Sequence, residues 1–243
     1  HRMQSQLQSD WDAFAKAHTE NSPVSIRVNI HKKYEHATAH PIPWAQAGQY
    51  LSERPSFTLD PHFHAGAYYV QEASSMLLEQ ALTQSADLTR SMRVLDLCAA
   101  PGGKSTHLLS LLSKESLLVS NEVIRSRASI LHENLVKWGH SNVVVTNSDP
   151  EDFQRLTGYF DVIVVDAPCS GEGLFRKDAE AMTEWSEENA ALCASRQQRI
   201  IHDVWPALKE DGILIYCTCT KNLEEYDTNK EIVANELDAV VPH

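Results

Sequence analysis

Residues 93–105 read Arg-Val-Leu-Asp-Leu-Cys-Ala-Ala-Pro-Gly-Gly-Lys-Ser, a short apolar run followed by a turn of small residues that opens onto a helical pattern at 104–112. This succession of strand, turn and helix predicts the first βα unit of an α/β domain. Glycines let the backbone of such a turn approach a ligand closely, and the helix N-terminus favours a negatively charged group. The segment therefore predicts both the fold class and the place where a ligand binds.

Downstream of this segment, apolar runs alternate with helical patterns. The run at 162–165, Val-Ile-Val-Val, is apolar at consecutive positions, which is typical of parallel strands that are buried on both faces. We therefore predict a doubly wound, Rossmann-like parallel sheet covered by helices. The predicted strands are 93–97, 117–120, 142–146, 161–165 and 213–216, and the predicted helices are 104–112, 125–138 and 186–208.

The sequence before residue 90 has shorter and less regular patterns, which predict a smaller α+β region at 1–90 ahead of a catalytic domain at 91–243. Because the chain begins at His1 rather than Met and stops soon after a helical pattern, we expect an excerpt of a longer protein, cut at its C-terminal end. The predicted elements of the first region are a helix at 3–18, a strand at 25–30, mostly loop over 41–69 and a helix at 72–82.

Length and composition exclude several classes of protein. The 243 residues are 42% hydrophobic and 22% charged, which excludes disordered, collagen-like and small disulfide-stabilised proteins. No apolar run approaches the ~18 residues of a membrane-spanning helix, and residues 1–30 contain no basic segment leading into an apolar one. A net charge of −12 argues against non-specific binding of nucleic acid, unless a local basic patch provides it.

The five cysteines are an odd number in a chain without an export signal, which predicts thiols in a reducing compartment and a cytoplasmic location. Cys217 and Cys219 form a Cys-x-Cys pair, but no second pair stands at zinc spacing, and the twelve histidines make no recognisable ligand set. We therefore expect no metal site.

Two ligands compete for the turn at 98–105. Gly102–Ser105 matches the end of a phosphate-binding loop, and 162–166 resembles the strand whose Asp holds magnesium, which together predict an NTPase. Alternatively, the turn holds the amino-acid end of S-adenosylmethionine (AdoMet). Cys98 stands at the first glycine position of the phosphate-loop pattern, where a Cβ would prevent the backbone from wrapping around phosphates. This favours AdoMet over a nucleoside triphosphate as the ligand of the turn.

Carboxylates follow the next two predicted strands, at the sheet edge where doubly wound folds bind ligands. Glu122 follows the second strand and could accept hydrogen bonds from both ribose hydroxyls, although a solvated acid at a helix start would also explain it. Asp149 follows the third strand and could accept from an adenine amine or, equally well, cap a helix. Both are candidate cofactor ligands.

Thiols follow the last two predicted strands. Cys169 comes three residues after Asp166, and Cys219 follows the fifth strand, which predicts two thiols at one edge of the sheet. Carbon 5 of cytosine is too weak a nucleophile to attack a sulfonium methyl group, but addition of a thiolate to carbon 6 makes it an enamine carbon. A second thiol could assist elimination, and an acid could bind the pyrimidine edge.

Three motifs stand at the ends of predicted strands: Asp96-Leu-Cys-Ala-Ala-Pro-Gly-Gly-Lys104, Asp166-Ala-Pro-Cys-Ser-Gly171 and Tyr216-Cys-Thr-Cys-Thr220. Together they resemble the motifs of the Nop/Sun family of AdoMet-dependent RNA (cytosine-5) methyltransferases. Segments 25–29, 61–75 and 173–178 are similar to the bacterial branch, which acts on 16S ribosomal RNA. The resemblance implies an AdoMet-dependent methyltransferase fold and a candidate RNA-recognition role for residues 1–90.

The resemblance also implies roles for single residues. It makes Cys219 the nucleophile, Cys169 the residue that aids product release, and Asp166 a contact of the base with an acid/base role. Arg176 and Lys177 are candidate RNA contacts, although each could be a solvated charge. The implied AdoMet contacts are Cys98, Ala99, Ala100, Pro101, Gly102, Gly103, Lys104, Glu122, Arg127, Asp149 and Asp166.

Two residues depart from the family pattern, namely Cys217 in place of the usual Ser and Tyr226 where Asn is common. Neither is expected to abolish activity. We expect a monomer that acts on ribosomal RNA, with no membrane and no metal. The alternatives are a transfer RNA cytosine-5 methyltransferase, a phosphate-loop NTPase and a non-catalytic RNA-binding assembly factor.

Overall fold

The computed structural model describes residues 2–35, 39–177, 179–237 and 239–240. His1, Asp178 at the end of the 173–178 segment, and residues 241–243 of the predicted catalytic domain lie outside the described residues. The described strands are β1 (Val24–Val28), β2 (Ala39–Ile42), β3 (Ala45–Leu51), β4 (Tyr68–Val70), β5 (Arg93–Asp96), β6 (Leu117–Asn121), β7 (Val143–Thr146), β8 (Phe160–Asp166) and β9 (Leu208–Cys217). The described helices are α1 (Arg2–Leu7), α2 (Trp11–Thr19), α3 (Pro61–His64), α4 (Leu78–Ser85), α5 (Gly103–Leu111), α6 (Arg125–Trp138), α7 (Ala179–Glu184), α8 (Glu187–Val204) and α9 (Leu223–Asn235).

Strands β5 to β9 form a five-stranded sheet in the order β7-β6-β5-β8-β9, in which every neighbouring pair is parallel. The first of these strands along the chain, β5, therefore lies in the centre, and the chain winds outward from it in both directions. This arrangement confirms the predicted doubly wound α/β fold. The winding changes direction between β5 and β8, and sheets of this kind bind ligands beyond the carboxyl ends of such strands.

Both faces of this sheet are buried, as its apolar runs predict. Val94 of β5 belongs to an apolar cluster with Leu131 and Trp138 of α6. Leu95, the next residue, belongs to a different cluster with Val204 of α8. Consecutive strand residues point to opposite faces, so helices cover the sheet on both sides and leave its carboxyl edge as the place for polar side chains.

A second sheet, of antiparallel strands in the order β2-β3-β1-β4, occupies much of the segment at 41–69 that the sequence predicts to be mostly loop. That prediction was wrong. Pro41 is the residue that suggests a loop, but it lies in β2, an edge strand, which is where sheets tolerate proline.

Three predicted helices differ from the structure. The 3–18 pattern forms two helices, because Gln8 has a positive φ of 43° that a continuous α-helix does not accommodate. The helix predicted at 186–208 ends at Val204, and a 3-10 turn around Pro206 leads into β9. The helix predicted at 72–82 begins as a 3-10 turn at Ser74–Leu77 and continues as α4.

The described residues group into two compact units. We call them the sheet unit (Val24–Pro168 and Arg196–Thr218) and the cysteine unit (His1–Pro23, Cys169–Ser195 and Cys219–His243). These units are defined by how closely residues pack, whereas the predicted domains at 1–90 and 91–243 are defined by function. The predicted division into two domains therefore stays a prediction. Within the described ranges, no helix combines the length and apolar composition required to cross a membrane.

Candidate active site

The start of the turn after β5 is held by the neighbouring strand, β6. The Ala99 backbone N–H donates to the carbonyl of Asn121 at 2.8 Å, and the Asn121 side-chain amide donates to the carbonyls of Leu97 (3.1 Å) and Ser148 (3.0 Å). The side chain of Asn121 also accepts from Thr146 Oγ1 at 2.8 Å. This buried amide thus fixes the ends of three strands, although no motif in the sequence marked it as part of the site.

The two glycines at the start of α5 differ in what they require. Gly102 has a φ of 112° and is the N-cap of α5, a backbone conformation that side-chain-bearing residues rarely adopt. A Cβ at Gly103 would make an ordinary contact of 3.4 Å with the Tyr69 ring of the antiparallel sheet. Helix α6 binds the other side of the turn, since Arg127 donates to the Ala100 carbonyl at 2.8 Å and Asn134 to the Pro101 carbonyl at 2.7 Å.

Two buried carboxylate oxygens at this edge have no hydrogen-bond partner among the described residues: Asp96 Oδ1 and Glu122 Oε2. The other oxygen of Asp96 accepts from Ser105 Oγ at 2.6 Å, and the other oxygen of Glu122 accepts from the Ile124 backbone at 3.0 Å. Arg127 Nη1 lies 3.4 Å from Glu122 Oε2. A ligand with an ammonium group and vicinal hydroxyls supplies the donors that such acceptors lack. The residues present therefore fit the amino-acid and ribose ends of AdoMet.

A lysine–carboxylate pair stands between β5 and β8, where the winding changes direction. Lys104 Nζ donates to Asp166 Oδ2 at 2.7 Å. Burial lowers the pKa of Lys104, but the charge and hydrogen bond of Asp166 outweigh it and raise that pKa above its usual value. Lys104 is therefore a fixed positive charge that orients Asp166.

The two thiols of the sheet unit that lie near this pair are protonated at neutral pH. Burial raises the pKa of Cys98 to about 12 and that of Cys217 to about 11. Because the thiolate is the nucleophile, neither residue is suited to attack a base. The buried thiol of the Tyr216–Thr220 motif, Cys217, is thus unsuited to the role of nucleophile.

We expect the stability of the cofactor-free protein to fall as pH rises through the range in which Asp96 ionises. Burial, helped by the charge of Asp166 and opposed by the Ser105 hydrogen bond, raises the pKa of Asp96 from 3.8 to about 7. Folding therefore favours the protonated acid, and this stabilisation is complete below about pH 4 and lost as pH rises through 7. Relative to Asp96→Asn, the free energy of unfolding should fall by about 3 kcal/mol between pH 5 and pH 8.

Urea unfolding of both proteins at a series of pH values measures this difference. The Asn variant stays neutral and keeps an acceptor for Ser105, so it serves as the reference at each pH. A difference between the two proteins that does not change with pH would contradict the assignment to Asp96.

A buried arginine ties the antiparallel sheet to the start of α5. Arg27 of β1 is fully buried and donates to Gln71 Oε1 (2.9 Å), the Gly103 carbonyl (3.2 Å) and Thr106 Oγ1 (2.6 Å). Its guanidinium also lies 4.6 Å from the centre of the Trp138 ring. Burial lowers its pKa to about 9, so it keeps its charge at neutral pH. The sequence marks Arg27 only as part of the 25–29 resemblance, because burial cannot be read from one charged residue in a short strand.

Asp149 has a structural role in the structure. Its carboxylate accepts from the backbone of Glu151 at 3.3 Å, and its backbone donates to Asp152 at 3.2 Å, which together form a capping box. Arg199 lies 3.8 Å from the same carboxylate. Asp149 therefore caps a helix, which is one of the two roles that the sequence left open. Its contact with an adenine amine stays a prediction.

In the cysteine unit, Cys169 and Cys219 come together. Their Sγ atoms lie 2.9 Å apart although the residues are separated by 50 positions in the chain. Cys219 is exposed and Cys169 is half-buried, so a substrate can reach the pair. The sequence prediction that the two thiols lie close together agrees with this geometry.

Gly173 packs against the backbone of Cys219 so closely that a side chain at 173 would displace it. A Cβ there would lie 2.6 Å from the Cys219 carbonyl oxygen and 2.8 Å from the Cys219 Cβ. We expect Gly173→Ala to slow single-turnover methyl transfer about 10- to 100-fold, since small displacements of a reacting group cost this much. Calorimetric titration should show unchanged AdoMet affinity.

Gly158→Ala is a control for a methyl group added away from Cys219. Gly158, unlike Gly173, has a positive φ, of 58°, and a Cβ there meets nothing within 4 Å. This variant therefore reports the effect of backbone strain without a clash, and it should leave the rate of methyl transfer unchanged. Equal rates for Gly173→Ala and the wild-type protein would show that Cys219 does not depend on this contact.

Arg176 and Lys177 differ in what holds them. Arg176 donates to the backbone carbonyls of Glu20 (3.3 Å) and Asn21 (2.9 Å), which is a structural use of its guanidinium. Lys177 is exposed. RNA contact by either residue stays a prediction. Tyr226, which departs from the common Asn, is exposed on α9, and the expectation that it leaves activity intact stays a prediction.

Two family profiles match the chain. The profile of the 16S rRNA methyltransferase RsmB/F family matches residues 84–240, and that of the N-terminal domain of 16S rRNA methyltransferase RsmF matches residues 1–73. The chain belongs to the RsmB/F family. This confirms the resemblance inferred from the three motifs of the RsmB/F chain.

Relatives of known name agree with the RsmB/F assignment. Ribosomal RNA small subunit methyltransferase F of Erwinia tasmaniensis is 37% identical over 252 residues, covering 96% of this chain and 52% of that protein. The protein of the same name from Pectobacterium atrosepticum is 43% identical over 192 residues, covering 76% of this chain and 39% of that protein. The chain thus spans about half the length of the curated relatives it matches.

A solved structure agrees with the fold of the RsmB/F chain. The structure of a methyltransferase homolog protein from Pyrococcus horikoshii matches with a TM-score of 0.74 at 30% identity, covering 91% of this chain and 72% of that one. Across the described part of the RsmB/F chain, no group of three or more His, Cys, Asp or Glu side chains is placed to hold a metal ion.

Proposed function

We propose that this chain is the catalytic part of an AdoMet-dependent RNA (cytosine-5) methyltransferase that acts on 16S ribosomal RNA. The observation that carries the proposal is the pair of Cys169 and Cys219, whose Sγ atoms lie 2.9 Å apart in a member of the RsmB/F family. Cytosine-5 methylation needs a thiol to activate the ring and a second group to release it. The relatives named ribosomal RNA small subunit methyltransferase F support 16S rRNA over transfer RNA as the substrate.

The cofactor is proposed to bind at the carboxyl edge of β5 and β6. When bound, AdoMet supplies an electrophilic methyl group. The turn at 98–104 would hold its amino-acid end, with Asp96 as an additional acceptor that the sequence did not single out. Glu122 would accept from the ribose hydroxyls through Oε2, which has no hydrogen-bond partner among the described residues, and the ion pair with Arg127 would keep that carboxylate in place.

Cys219 is proposed as the nucleophile, following the family resemblance. Its thiolate adds to carbon 6 of cytosine, which turns carbon 5 into the carbon that accepts the methyl group. A base then removes the carbon 5 proton, and the bond from carbon 6 to sulfur breaks to restore the aromatic ring. Cys169 lies close enough to exchange a proton with Cys219 Sγ during this elimination.

Asp166 is proposed to bind the pyrimidine edge, where charge develops when the thiolate adds. Its ion pair with Lys104 fixes the carboxylate and keeps a proton source next to it. The same pair argues against a phosphate-binding loop, because Lys104 is already engaged by a carboxylate instead of being available to phosphates.

RNA binding is proposed to depend on local surfaces, since a net charge of −12 gives no general attraction for RNA. Residues 1–90 are the proposed RNA-recognition region, and Lys177 is a proposed contact. A cytoplasmic location and a monomeric state are part of the same proposal.

The decisive experiment uses the full-length protein, AdoMet carrying a tritiated methyl group, and 16S rRNA from cells that lack the enzyme. We expect tritium in 5-methylcytosine at a single site, with transfer RNA unlabelled. Labelled transfer RNA would favour the transfer RNA alternative. AdoMet binding without transfer to either RNA would favour a non-catalytic assembly factor.

A further inference from the structure

The loops that carry Cys169 and Cys219 are joined by one buried carboxylate, that of Glu225 in the first turn of α9. Glu225 Oε2 accepts from the backbone N–H of Ser170 at 3.0 Å, and Glu225 Oε1 accepts from Ser170 Oγ at 2.5 Å. Glu225 Oε1 also accepts from Thr220 Oγ1 at 3.2 Å. Ser170 directly follows one cysteine, and Thr220 directly follows the other.

Glu225 is fully buried, and a buried carboxylate is costly unless donors compensate for its lost hydration. Here the compensating donors come from both cysteine loops. These three hydrogen bonds all form only when the two loops are together. A loop that moves away withdraws its donors from the buried carboxylate, which is costly.

A second buried carboxylate strengthens the link between the same loops. Glu172 Oε2 accepts from the backbone N–H of Lys221 at 3.0 Å. Glu172 is three residues after Cys169, and Lys221 is two residues after Cys219. The loop after Cys219 is further fixed where Asn222 caps α9 through the backbone N–H of Glu224 at 2.9 Å.

We propose that Glu225 is a positioning residue that holds the Cys169 and Cys219 thiols in contact, and that the methyl-transfer reaction depends on it. The proposal deepens the function proposed above and rests on it for its kinetic consequence. Glu225 touches neither substrate nor cofactor in this account. It acts through Ser170 and Thr220.

The first test measures the thiol pair without any methyl transfer. Diamide oxidises two adjacent thiols to a disulfide, its N=N bond taking up the two electrons and two protons that the thiols lose. Peptide mapping of the full-length protein reports the rate at which the Cys169–Cys219 disulfide forms. We expect Glu225→Ala to slow this rate about tenfold or more, whereas Glu225→Gln stays within about threefold of wild type.

The glutamine variant is the conservative rescue. Its side-chain oxygen can accept from the Ser170 backbone, and its NH₂ can donate to the Ser170 and Thr220 hydroxyls, which rotate to accept. Glu224→Ala is the matched control, because Glu224 is the exposed glutamate next to it on α9. If Glu225→Ala does not fold, Ser170→Ala and Thr220→Val each remove one hydroxyl donor, and both should slow the disulfide.

The second test measures kcat per active site. RNA carrying fluorine at carbon 5 of cytidine traps each active site once, because fluorine cannot leave as a cation, and so counts functional sites. We expect kcat per trapped site to fall about 10- to 100-fold in Glu225→Ala, with the KM for AdoMet unchanged and Glu225→Gln close to wild type.

The outcomes separate the two proposals. Disulfide formation and kcat per site in Glu225→Ala within twofold of wild type would overturn the positioning role. A wild-type protein that neither traps fluorinated RNA nor methylates 16S rRNA, but whose disulfide rate depends on Glu225, would overturn the proposed function and leave the positioning of the thiols standing.

Discussion

Cys219→Ala should reduce methyl transfer to 16S rRNA by about 10⁴-fold or more, because the removal of a covalent nucleophile leaves only binding and orientation to accelerate the reaction. Cys219 is the more exposed thiol of the Cys169–Cys219 pair, which agrees with its proposed role as the nucleophile. Calorimetric titration should give an unchanged AdoMet affinity, since the proposed cofactor groups lie elsewhere in the chain. Transfer of tritiated methyl groups to 16S rRNA measures the loss.

Cys169→Ala should instead accumulate RNA bound covalently to the protein, because product release is the step that Cys169 is proposed to aid. Denaturing electrophoresis detects the adduct, which should vanish in the double variant Cys169→Ala/Cys219→Ala. Cys193→Ala is the control, as Cys193 is a buried thiol in α8. If Cys169→Ala abolished transfer while Cys219→Ala trapped RNA, the two roles would be reversed.

Arg27→Leu should lower the free energy of unfolding by about 3 to 5 kcal/mol, because several buried acceptors lose their donor and each costs about 1 to 3 kcal/mol when unsatisfied. Leucine fills part of the space but leaves the Gly103 carbonyl, the Thr106 hydroxyl and the Gln71 amide without the donors they have now. Urea unfolding measures the loss. Because Gly103 begins α5, AdoMet affinity should fall as well.

Arg125→Leu controls for the loss of a positive charge, since Arg125 is exposed on α6. It should change the free energy of unfolding by less than about 0.5 kcal/mol. If Arg27→Leu were as stable as Arg125→Leu, the guanidinium would not be holding the antiparallel sheet to α5, and some other contact would have to position the turn at 98–104.

The parallel sheet was predictable from the sequence because its strands are apolar at consecutive positions, a pattern that few other structures produce. The antiparallel sheet was not, since β2 contains Pro41 and β4 is only three residues long. Local patterns in such short strands are weaker than the pairing that stabilises them. Periodicity likewise could not reveal the break at Gln8, which depends on a single backbone angle.

Within the candidate site, residues that carry recognisable chemistry were predictable, and residues that act through burial were not. Cys169 and Cys219 were placed together because parallel strands end at the same edge. Asn121 and Glu225 were missed, since an amide at a strand end and a glutamate in a helix are ordinary in sequence. Their importance comes from which backbone groups they meet in three dimensions.

The cysteine unit has a consequence for the order of events during synthesis, because it is assembled from three separate stretches of chain. Residues 2–23 leave the ribosome before the stretches they group with, which begin at Cys169 and Cys219. At about 5 to 20 residues per second, the earliest of the three stretches waits on the order of tens of seconds for the last. The thiol pair therefore forms only after all three stretches have been made, and a nascent chain that stalls between Cys219 and α9 carries both cysteines without the carboxylate that brings them together.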